Sequence, residues 1–141
     1  PLYSSAASDV YKRQGRMNFP TKLRELLGSS FYVTKGLDAH CLAVYPAEEW
    51  ERLSQKVAAI PESKGAQLKR WLFSGACEMV PDQQGRILIP QDLRQFAGLE
   101  KDVVVIGANN KAEIWNRASW EIANAAVDLD EMMSILDTLG F

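Results

Sequence analysis

The sequence predicts an α+β fold built from two copies of one strand–helix–hairpin unit. A fifteen-residue phrase occurs at 14–28 and again, seventy positions later, at 84–98, with seven identical positions. Each copy is followed by two short apolar runs separated by a glycine-containing turn, which is the pattern of a β-hairpin. The stretches between and after the copies have apolar residues at helical spacing. A repeat of this length indicates two versions of one unit that share a core.

The repeat divides the chain into five segments. Its 141 residues are enough for one ordinary domain. The first residues match 71–83 only at small or apolar positions, and the chain begins with Pro1 without a basic-then-apolar leader. We therefore expect a fragment or an engineered product rather than a secretory precursor, and whether the first segment is native sequence stays open. The segments are an uncertain N-terminal piece at 1–13, a first unit at 14–50, a helical linker at 51–75, a second unit at 76–120 and a C-terminal helix at 121–141.

Each copy of the phrase predicts a short strand followed by a short helix. The pattern Arg-x-x-apolar-Pro is typical of a strand that ends at a proline, and the next seven residues suit a two-turn helix. Pro20 and Pro90 fit the first helical position, where no backbone N–H is needed. Gly28 and Gly98 fit the left-handed position just past the helix end.

A β-hairpin follows each helix. The two hairpins align at an offset of seventy-one rather than seventy, a one-residue slip that a hairpin loop tolerates. Their turns contain Gly36 and Gly107. The predicted strands are Phe31–Thr34 with Cys41–Tyr45, and Val103–Ile106 with Ala112–Trp115.

Amphipathic helices are predicted between the units and at the C-terminus. The linker contains one helix that ends before Pro61 and a second at about Ser63–Ser74. In the tail, Ile122, Leu129 and Leu136 recur every seven residues, which predicts a helix with an apolar seam. Two interpretations stay open: the seam packs on the chain's own barrel, or it mediates self-association.

The composition is that of a soluble globular protein, for which the cytoplasm is the default location. Apolar residues make up 47% and charged residues 24%, and no apolar run approaches the ~20 residues needed to cross a bilayer. The net charge of −2 hides an uneven distribution: residues 1–36 carry +4, residues 37–100 carry −2 and residues 101–141 carry −4. The positive charge therefore surrounds the first copy of the phrase.

The phrase and its surroundings resemble the MraZ family, which belongs to the AbrB-like swapped-hairpin superfamily. In the second half the resemblance rests on the run Asp82–Arg94, preceded by Phe73-Ser74-Gly75-Ala76 and followed by Ala97-Gly98-Leu99. In the first half it rests on Gly15-Arg16, Pro20, Lys22-Leu23-Arg24, Val33-Thr34-Lys35-Gly36-Leu37-Asp38 and Tyr45-Pro46. The match runs from about 15 to 120 and occurs in two copies, which makes it specific.

The resemblance implies a fold, an assembly and a function. The fold is a tandem of pseudo-symmetric swapped-hairpin units that form one small β-barrel, with short helices, linker helices and a C-terminal helix. The assembly is a homo-oligomeric ring. The function is sequence-specific binding to short direct repeats in double-stranded promoter DNA upstream of the family's own operon, mainly as a repressor of the bacterial division and cell-wall gene cluster. A location in the cytoplasm at the nucleoid follows.

The family motif Asp-x-x-x-Arg is complete in one half only. Asp82 and Arg86 have the family spacing, whereas the position four before Arg16 is Lys12. Gln14 also stands where the family usually has lysine. Either the first half has lost its acidic partner, or the first fourteen residues are not the native start.

The candidate DNA-contacting residues surround the two Gly-Arg pairs. An arginine after a glycine at a strand entrance can reach a phosphate or the O6/N7 edge of guanine, and an acidic residue four positions earlier can fix its pose. The alternative is that this acid–arginine pair only stabilises the fold. The arginines of the short helices can instead cap carbonyls, and the lysines can be a solvated basic face. The set is Gly15, Arg16, Gly85, Arg86, Asp82, Gln84, Gln14, Lys12, Arg13, Lys22, Arg24 and Arg94.

Enzyme, metal and cofactor sites are not predicted. His40 is the only histidine, and as a neighbour in one strand Cys41 would point to the opposite sheet face, so the two cannot readily form a catalytic dyad. With Cys77 they lack metal-ligand spacing, and two cysteines favour reduced, buried thiols over a disulfide. No phosphate-binding loop and no small-molecule substrate site are recognisable. The rival function is an oligomeric protein-interaction scaffold without strong DNA binding.

Overall fold

A computed structural model describes the backbone of residues 3–6 and all atoms of residues 15–141. The strands are β1 Tyr3–Ala6, β2 Arg16–Asn18, β3 Phe31–Lys35, β4 Leu42–Pro46, β5 Cys77–Met79, β6 Arg86–Leu88, β7 Val103–Gly107 and β8 Ala112–Asn116. The helices are α1 Thr21–Leu27, α2 Ala47–Ala58, α3 Glu62–Ser74, α4 Gln91–Ala97, α5 Arg117–Ala125 and α6 Leu129–Thr138. This mixture confirms the predicted α+β class.

The strands form two antiparallel sheets, and each sheet mixes strands from both copies. The larger sheet has the order β1-β7-β8-β4-β3-β5, in which the two predicted hairpins meet through the pair β4–β8. The smaller sheet is a ribbon of β2 and β6, one strand from each copy of the phrase. Neither copy can therefore complete its sheet without the other. Closure of the larger sheet into a barrel stays a prediction.

Both hairpins are confirmed with small shifts at their ends. Strand β3 extends to Lys35 and pairs with β4, which begins at Leu42 rather than at Cys41. Strand β7 extends to Gly107 and pairs with β8. The first turn closes through the amide of Gly36, which donates to the carbonyl of Cys41 at 2.7 Å. This bond places Cys41 in the turn, outside the strand.

Two edge strands were not predicted. Strand β5 pairs with β3 and places Phe31 opposite Met79. Strand β1 pairs with β7 in the matching position of the other half, with Ala6 opposite Val103. Strands β1 and β5 have only four and three residues, which is too short for an apolar pattern to identify a strand. The rest of the predicted segment 1–13 lies outside the described residues.

One buried cluster joins the two sheets and the short helices α1 and α4. Phe19, which follows the ribbon, meets Phe31 of the larger sheet with ring centroids 5.1 Å apart. Fully buried members are Met17, Phe31, Val33, Leu42, Val44, Ile89, Leu93, Val103, Val105 and Ile114. The predicted shared core is therefore present.

The helices after the ribbon strands begin one residue later than predicted. Pro20 and Pro90 are the N-cap residues of α1 and α4 rather than their first helical residues. Their extended ψ angles of 132° and 152° explain the shift, because a helical residue needs a ψ near −40°. Gly98 ends α4 in the predicted left-handed conformation, with φ 62° and ψ 32°. Gly28 ends α1 with a positive φ of 90° but an extended ψ.

The two linker helices are confirmed as α2 and α3, whereas the single C-terminal helix is wrong. The tail forms α5 and α6, separated by three residues at 126–128. Asp128 starts the second helix, because its side chain accepts a hydrogen bond from the amide of Glu131 at 3.1 Å. The Asp-x-x-Glu spacing of this capping pair was the sequence signal for the break.

The apolar seam of the tail does not pack on the chain's own sheets. Ile122, Leu129 and Leu136 are 72%, 68% and 41% exposed, and neither α5 nor α6 has a buried residue. The first of the two interpretations of the seam is therefore wrong, and self-association stays a prediction. Among the described residues, no helix has the length and apolar character required to cross a membrane.

Candidate nucleic-acid interface

The ribbon of β2 and β6 brings both copies of the Gly-Arg pair together. Its register places Arg16 opposite Leu88, Met17 opposite Ile87 and Asn18 opposite Arg86. Because side chains alternate across a strand, the central pair faces the core and the two outer pairs face outward. The outer pairs, Arg16, Asn18, Arg86 and Leu88, define one surface that we call the ribbon face.

The loop before β6 is closed by hydrogen bonds that centre on Asp82. Its carboxylate oxygen Oδ1 accepts from the backbone amides of Gln84 and Arg86, both at 2.9 Å. Its own amide donates to the carbonyl of Arg86, and its carbonyl accepts from the amide of Gly85, again at 2.9 Å. A single acidic residue therefore fixes the backbone on both sides of the Gly-Arg pair.

The same carboxylate fixes the arginine side chain. Nε of Arg86 donates to Oδ2 of Asp82 at 3.0 Å, and the structure gives its two terminal nitrogens no hydrogen-bond partner among the described residues. The amide of Arg86, together with its side chain and the amide of Gln84, holds the pKa of the Asp82 carboxyl below its ordinary value of 3.8. Asp82 is therefore ionised at neutral pH, and the terminal nitrogens remain available for a ligand.

The first copy presents its arginine differently. Arg16 is exposed, and within residues 15–141 its side chain has no hydrogen-bond or ion-pair partner. The predicted contacts Lys12, Arg13 and Gln14 lie outside the described residues. On the ribbon face, one arginine is thus held by a carboxylate and the other lacks a comparable partner among the described residues.

Arg24 connects α1 to the loop of the other copy. Its Nε donates to the carbonyl of Phe19 at 3.2 Å, and Nη2 donates to Oγ1 of Thr21 at 3.0 Å. The guanidinium lies directly on Gly85, where a Cβ atom would be 2.7 Å from its Cζ. The amide of Phe19 in turn donates to the carbonyl of Gly85 at 3.0 Å.

Arg94 makes the equivalent contacts from α4 to the first copy. Its Nε donates to the carbonyl of Ile89 at 3.0 Å, and the amide of Ile89 donates to the carbonyl of Gly15 at 2.9 Å. A Cβ atom on Gly15 would lie 2.8 Å from Nε of Arg94. We call these two reciprocal contacts the cross-locks. They give both helix arginines a role in the fold, and contact of either one with DNA stays a prediction.

Two of the remaining predicted residues, Gln84 and Lys22, are exposed. Gln84 lies at the tip of the Asp82 loop, and Lys22 lies on α1. Residue-by-residue prediction missed Asn18, which lies opposite Arg86 on the ribbon face. Its position two residues after Arg16 was the available signal, because alternate residues of a strand share a face.

The described residues offer no catalytic or metal constellation. His40 is exposed in the first hairpin turn and contacts the ring of Phe96, with centroids 5.0 Å apart. Cys41 is buried, and burial raises the pKa of its thiol to about 12, so it is not a nucleophile at neutral pH. No group of three histidine, cysteine or carboxylate residues could hold a metal ion in the described part of the chain.

Comparison with known proteins places the chain in a family. A family model described as "MraZ protein, putative antitoxin-like" matches residues 11–69 and 72–133. The transcriptional regulator MraZ of Heliobacterium modesticaldum is 47% identical over 131 residues, which cover 83% of this chain and 91% of the relative. The MraZ regulator of Lachnoclostridium phytofermentans is 41% identical over 140 residues, 99% of this chain and 98% of the relative. That of Clostridium beijerinckii is 44% identical over 130 residues, with 90% and 91% covered.

The family match has two parts, one for each copy of the repeat, and the relatives match along most of their own length. They carry the names of regulators rather than enzymes, in agreement with the prediction of no catalytic activity. The interleaved copies and the paired Gly-Arg loops on one ribbon therefore belong to a member of the MraZ family of transcriptional regulators.

Proposed function

We propose that this chain regulates transcription by binding double-stranded promoter DNA through its Gly-Arg loops, and that it acts as a repressor. The observation that carries the proposal is the pose of Arg86, whose Nε is held by Asp82 while both terminal nitrogens are unpaired among the described residues. A side chain held in this way loses less conformational entropy on binding than an unrestrained one. The regulator names of the relatives support the same function.

The ribbon face suits recognition of a duplex. A two-stranded β-ribbon fits the major groove of B-DNA, and a guanidinium can donate two parallel hydrogen bonds to O6 and N7 of guanine or to a phosphate. Arg16 and Arg86 are diagonal neighbours on this ribbon, for which the typical separation is about 7–8 Å. Asn18, beside Arg86, offers the amide that pairs with adenine.

Two arginines give one chain only weak affinity, so the proposal includes an oligomer. A homo-oligomeric ring or partial ring presents several ribbon faces to successive direct repeats, and the later contacts then profit from a high effective concentration. Repression follows from occupation of the promoter of the chain's own operon, in the division and cell-wall gene cluster. The protein acts at the nucleoid in the cytoplasm.

The test compares three arginines in titrations of the labelled promoter upstream of the chain's own gene and of a shuffled duplex. Arg86→Ala should lower affinity for the promoter by about tenfold or more, because a bidentate base contact contributes roughly 1–3 kcal/mol. Arg16→Ala should cost less, because this arginine has no partner that fixes its pose among residues 15–141. Arg52→Ala is the matched control, since Arg52 also pairs with a carboxylate, Glu49, at 2.9 Å but lies on α2.

Two further measurements decide between base readout and simple charge. Arg86→Lys keeps the charge without the planar fork, so it should retain binding to the shuffled duplex but lose preference for the promoter. Wild-type affinity should fall steeply between 50 and 200 mM salt, by at least about tenfold, as counterions compete for phosphate. Equal affinities of wild type and Arg86→Ala for both duplexes would contradict the proposal.

The alternative is an oligomeric protein-interaction scaffold without strong DNA binding. The net charge of −2 and the exposed apolar residues of α6 favour it. Loss of DNA binding in Arg86→Ala with an unchanged oligomer supports the regulator. A scaffold would give promoter affinities that are weak in wild type and insensitive to all three arginines.

A further inference from the structure

The two ends of the ribbon face carry different side chains beside their arginines. At one end Asn18 lies opposite Arg86, and at the other end Leu88 lies opposite Arg16. In the repeat phrase Asn18 corresponds to Leu88, two positions after the arginine in each copy. A half-turn that exchanges β2 and β6 would therefore match arginine with arginine but asparagine with leucine. The arginines are common to both ends, and their neighbours are not.

Asn18 and Arg86 form a close cross-strand pair. Hydrogen-bonded and non-hydrogen-bonded pairs alternate along antiparallel strands, and the amide of Phe19 donates to the carbonyl of Gly85 at 3.0 Å. The adjacent pair of Asn18 and Arg86 is therefore non-hydrogen-bonded, with Cβ atoms about 4.5–5.5 Å apart. Successive base pairs of a duplex are about 3.4 Å apart. Two side chains at this spacing can reach the edges of neighbouring base pairs.

Asn18 takes no part in the polar contacts that close the loop beside it. Its side chain is exposed, and within residues 15–141 its amide has no hydrogen-bond partner. The carboxylate of Asp82 already accepts from the amides of Gln84 and Arg86 and from Nε of Arg86. Asparagine is also depleted in β-strands, so the strand itself does not favour it here. The amide of Asn18 lies on the ribbon face with its donor and its acceptor available.

The two side chains of this pair select different bases. A guanidinium only donates, so Arg86 matches guanine, which presents the acceptors O6 and N7 in the major groove. The amide of Asn18 both donates and accepts, so it matches adenine, which presents the acceptor N7 and the donor N6. Leu88, at the other end of the ribbon face, can neither donate nor accept through its side chain.

We propose that Asn18 determines specificity by pairing with an adenine in the base pair next to the guanine that Arg86 contacts. This inference rests on the proposed DNA binding and adds a base and a direction to it. Because Leu88 cannot form the equivalent bonds, adenine is required at one end of the ribbon only. A ribbon turned end for end would lose the contact of Asn18, so each ribbon binds its site in one orientation.

A base-pair scan of the labelled promoter upstream of the chain's own gene tests the proposal. Each base pair is replaced in turn, and the guanine of Arg86 is the one that Arg86→Ala no longer distinguishes. Replacing the adenine beside it should lower wild-type affinity by about fivefold or more. Asn18→Ala should lose this requirement for adenine and keep the requirement for guanine. Asn124→Ala, at an exposed asparagine of α5, is the matched control and should keep both.

Two conservative variants separate base recognition from a change in the fold. Asn18→Gln keeps an amide, so it should keep the preference for adenine. Asn18→Asp can only accept, so it should shift the preference towards cytosine, whose N4 donates. Residue 18 is exposed, so these variants should fold, which circular dichroism checks. An adenine analogue with carbon in place of N7, at the same position, should weaken binding of wild type but not of Asn18→Ala.

The outcomes distinguish this inference from the proposed function. Asn18→Ala that still requires adenine, or a wild type that prefers another base beside that guanine, would overturn the inference while the DNA binding by Arg86 stands. An equal loss of affinity for every duplex would mean that Asn18 contacts a phosphate, and would overturn it too. A wild type that binds no duplex would overturn the inference and the proposed function together.

Discussion

The two copies of the Gly-Arg loop share one set of contacts and differ in another. Both have a glycine covered by the helix arginine of the other copy, Gly85 by Arg24 and Gly15 by Arg94. Among the described residues, only the second copy has a carboxylate that fixes its loop and the arginine after it. The shared contacts bind the copies to each other and so belong to the fold. The contact that only the second copy makes, between Asp82 and Arg86, is the one that we connect with the proposed DNA binding.

The cross-locks also explain why the copies fold as one unit. Each loop glycine accepts, through its carbonyl, a backbone hydrogen bond from the residue just after the other copy's ribbon strand. The helix arginine that covers the glycine bonds the carbonyl of that same residue. Losing one half therefore removes backbone and side-chain partners from the other, and the two should unfold in a single transition.

The largest loss of stability is expected from a substitution at the glycine of a shared contact. Gly15→Ala should lower the free energy of unfolding by roughly 3 kcal/mol or more. Its φ of +92° is unfavourable for alanine, and the new Cβ would lie 2.5 Å from the carbonyl oxygen of Ile89, a backbone atom that cannot easily move. Gly85→Ala should cost less, because its nearest neighbours are side-chain atoms of Arg24. Urea unfolding at one protein concentration measures both.

Gly28→Ala separates backbone strain from contact in this series. Gly28 has a similar φ of +90°, but nothing lies within 4 Å of its added Cβ. Its cost should be backbone strain alone, about 1–2 kcal/mol. If Gly28→Ala costs as much stability as Gly15→Ala, backbone strain alone explains both losses, and the contacts of Gly15 with Ile89 and Arg94 add nothing.

The next largest loss of stability is expected when the arginines of the same contacts are replaced. Arg24→Ala and Arg94→Ala should each lower the free energy of unfolding by about 2 kcal/mol, the cost of a part-buried charged hydrogen bond to a carbonyl. The two values should be similar, since the contacts are equivalent. Arg52→Ala, which removes an exposed ion pair, should cost less than about 1 kcal/mol. Urea unfolding at matched concentration checks all three, and strongly unequal values for Arg24 and Arg94 would break the equivalence of the copies.

The parts of the fold that depend on residues close in sequence were predictable, whereas the parts that depend on distant residues were not. The hairpins and short helices follow from local signals such as the two glycines that end α1 and α4. The pairing of β2 with β6 does not, because two strands of three residues carry too little pattern to fix a partner seventy positions away. The sequence contains the signal for a helix start at Asp128. The apolar spacing of seven residues continues across this position, and it led to the prediction of one continuous helix.

Only the contacts between residues close in sequence were predictable at the candidate site. The spacing of Asp82 and Arg86 predicted their ion pair, which the structure confirms at 3.0 Å. The interpretation of Arg24 and Arg94 as residues that cap carbonyls was available, but their carbonyl partners and the glycines they cover depend on the interleaving of the copies. The alternation of strand residues was the local signal for Asn18, but its place opposite Arg86 depends on the same interleaving. Contacts that cross between the copies need the register, which local sequence does not contain.

The smallest effect concerns the contact that only one copy makes. Asp82→Asn keeps one acceptor oxygen for the loop amides but removes the charge that holds Nε of Arg86. Promoter affinity should fall by about twofold to fivefold per loop, the range for an exposed ion pair, while affinity for a shuffled duplex should hardly change. Gln83→Ala is the control, because Gln83 is exposed in the same loop and its side chain has no hydrogen-bond partner within residues 15–141. A loss as large as that of Arg86→Ala would mean that Asp82 does more than fix the pose of the arginine.

The pH dependence of the same variant gives an independent check. The pKa of Asp82 is lowered in the folded chain, chiefly by the hydrogen bond from the amide of Arg86, so the carboxylate stabilises the fold at pH values above its ordinary pKa of 3.8. That contribution disappears as the pH falls below 3.8 through the depressed pKa and the group becomes protonated in both states. The difference in unfolding free energy between wild type and Asp82→Asn should therefore be constant near neutral pH and shrink in this acidic window. A difference that grows on acidification would mean that folding raises the pKa of this carboxyl, and the loop would then hold the protonated acid rather than the anion that orients Arg86.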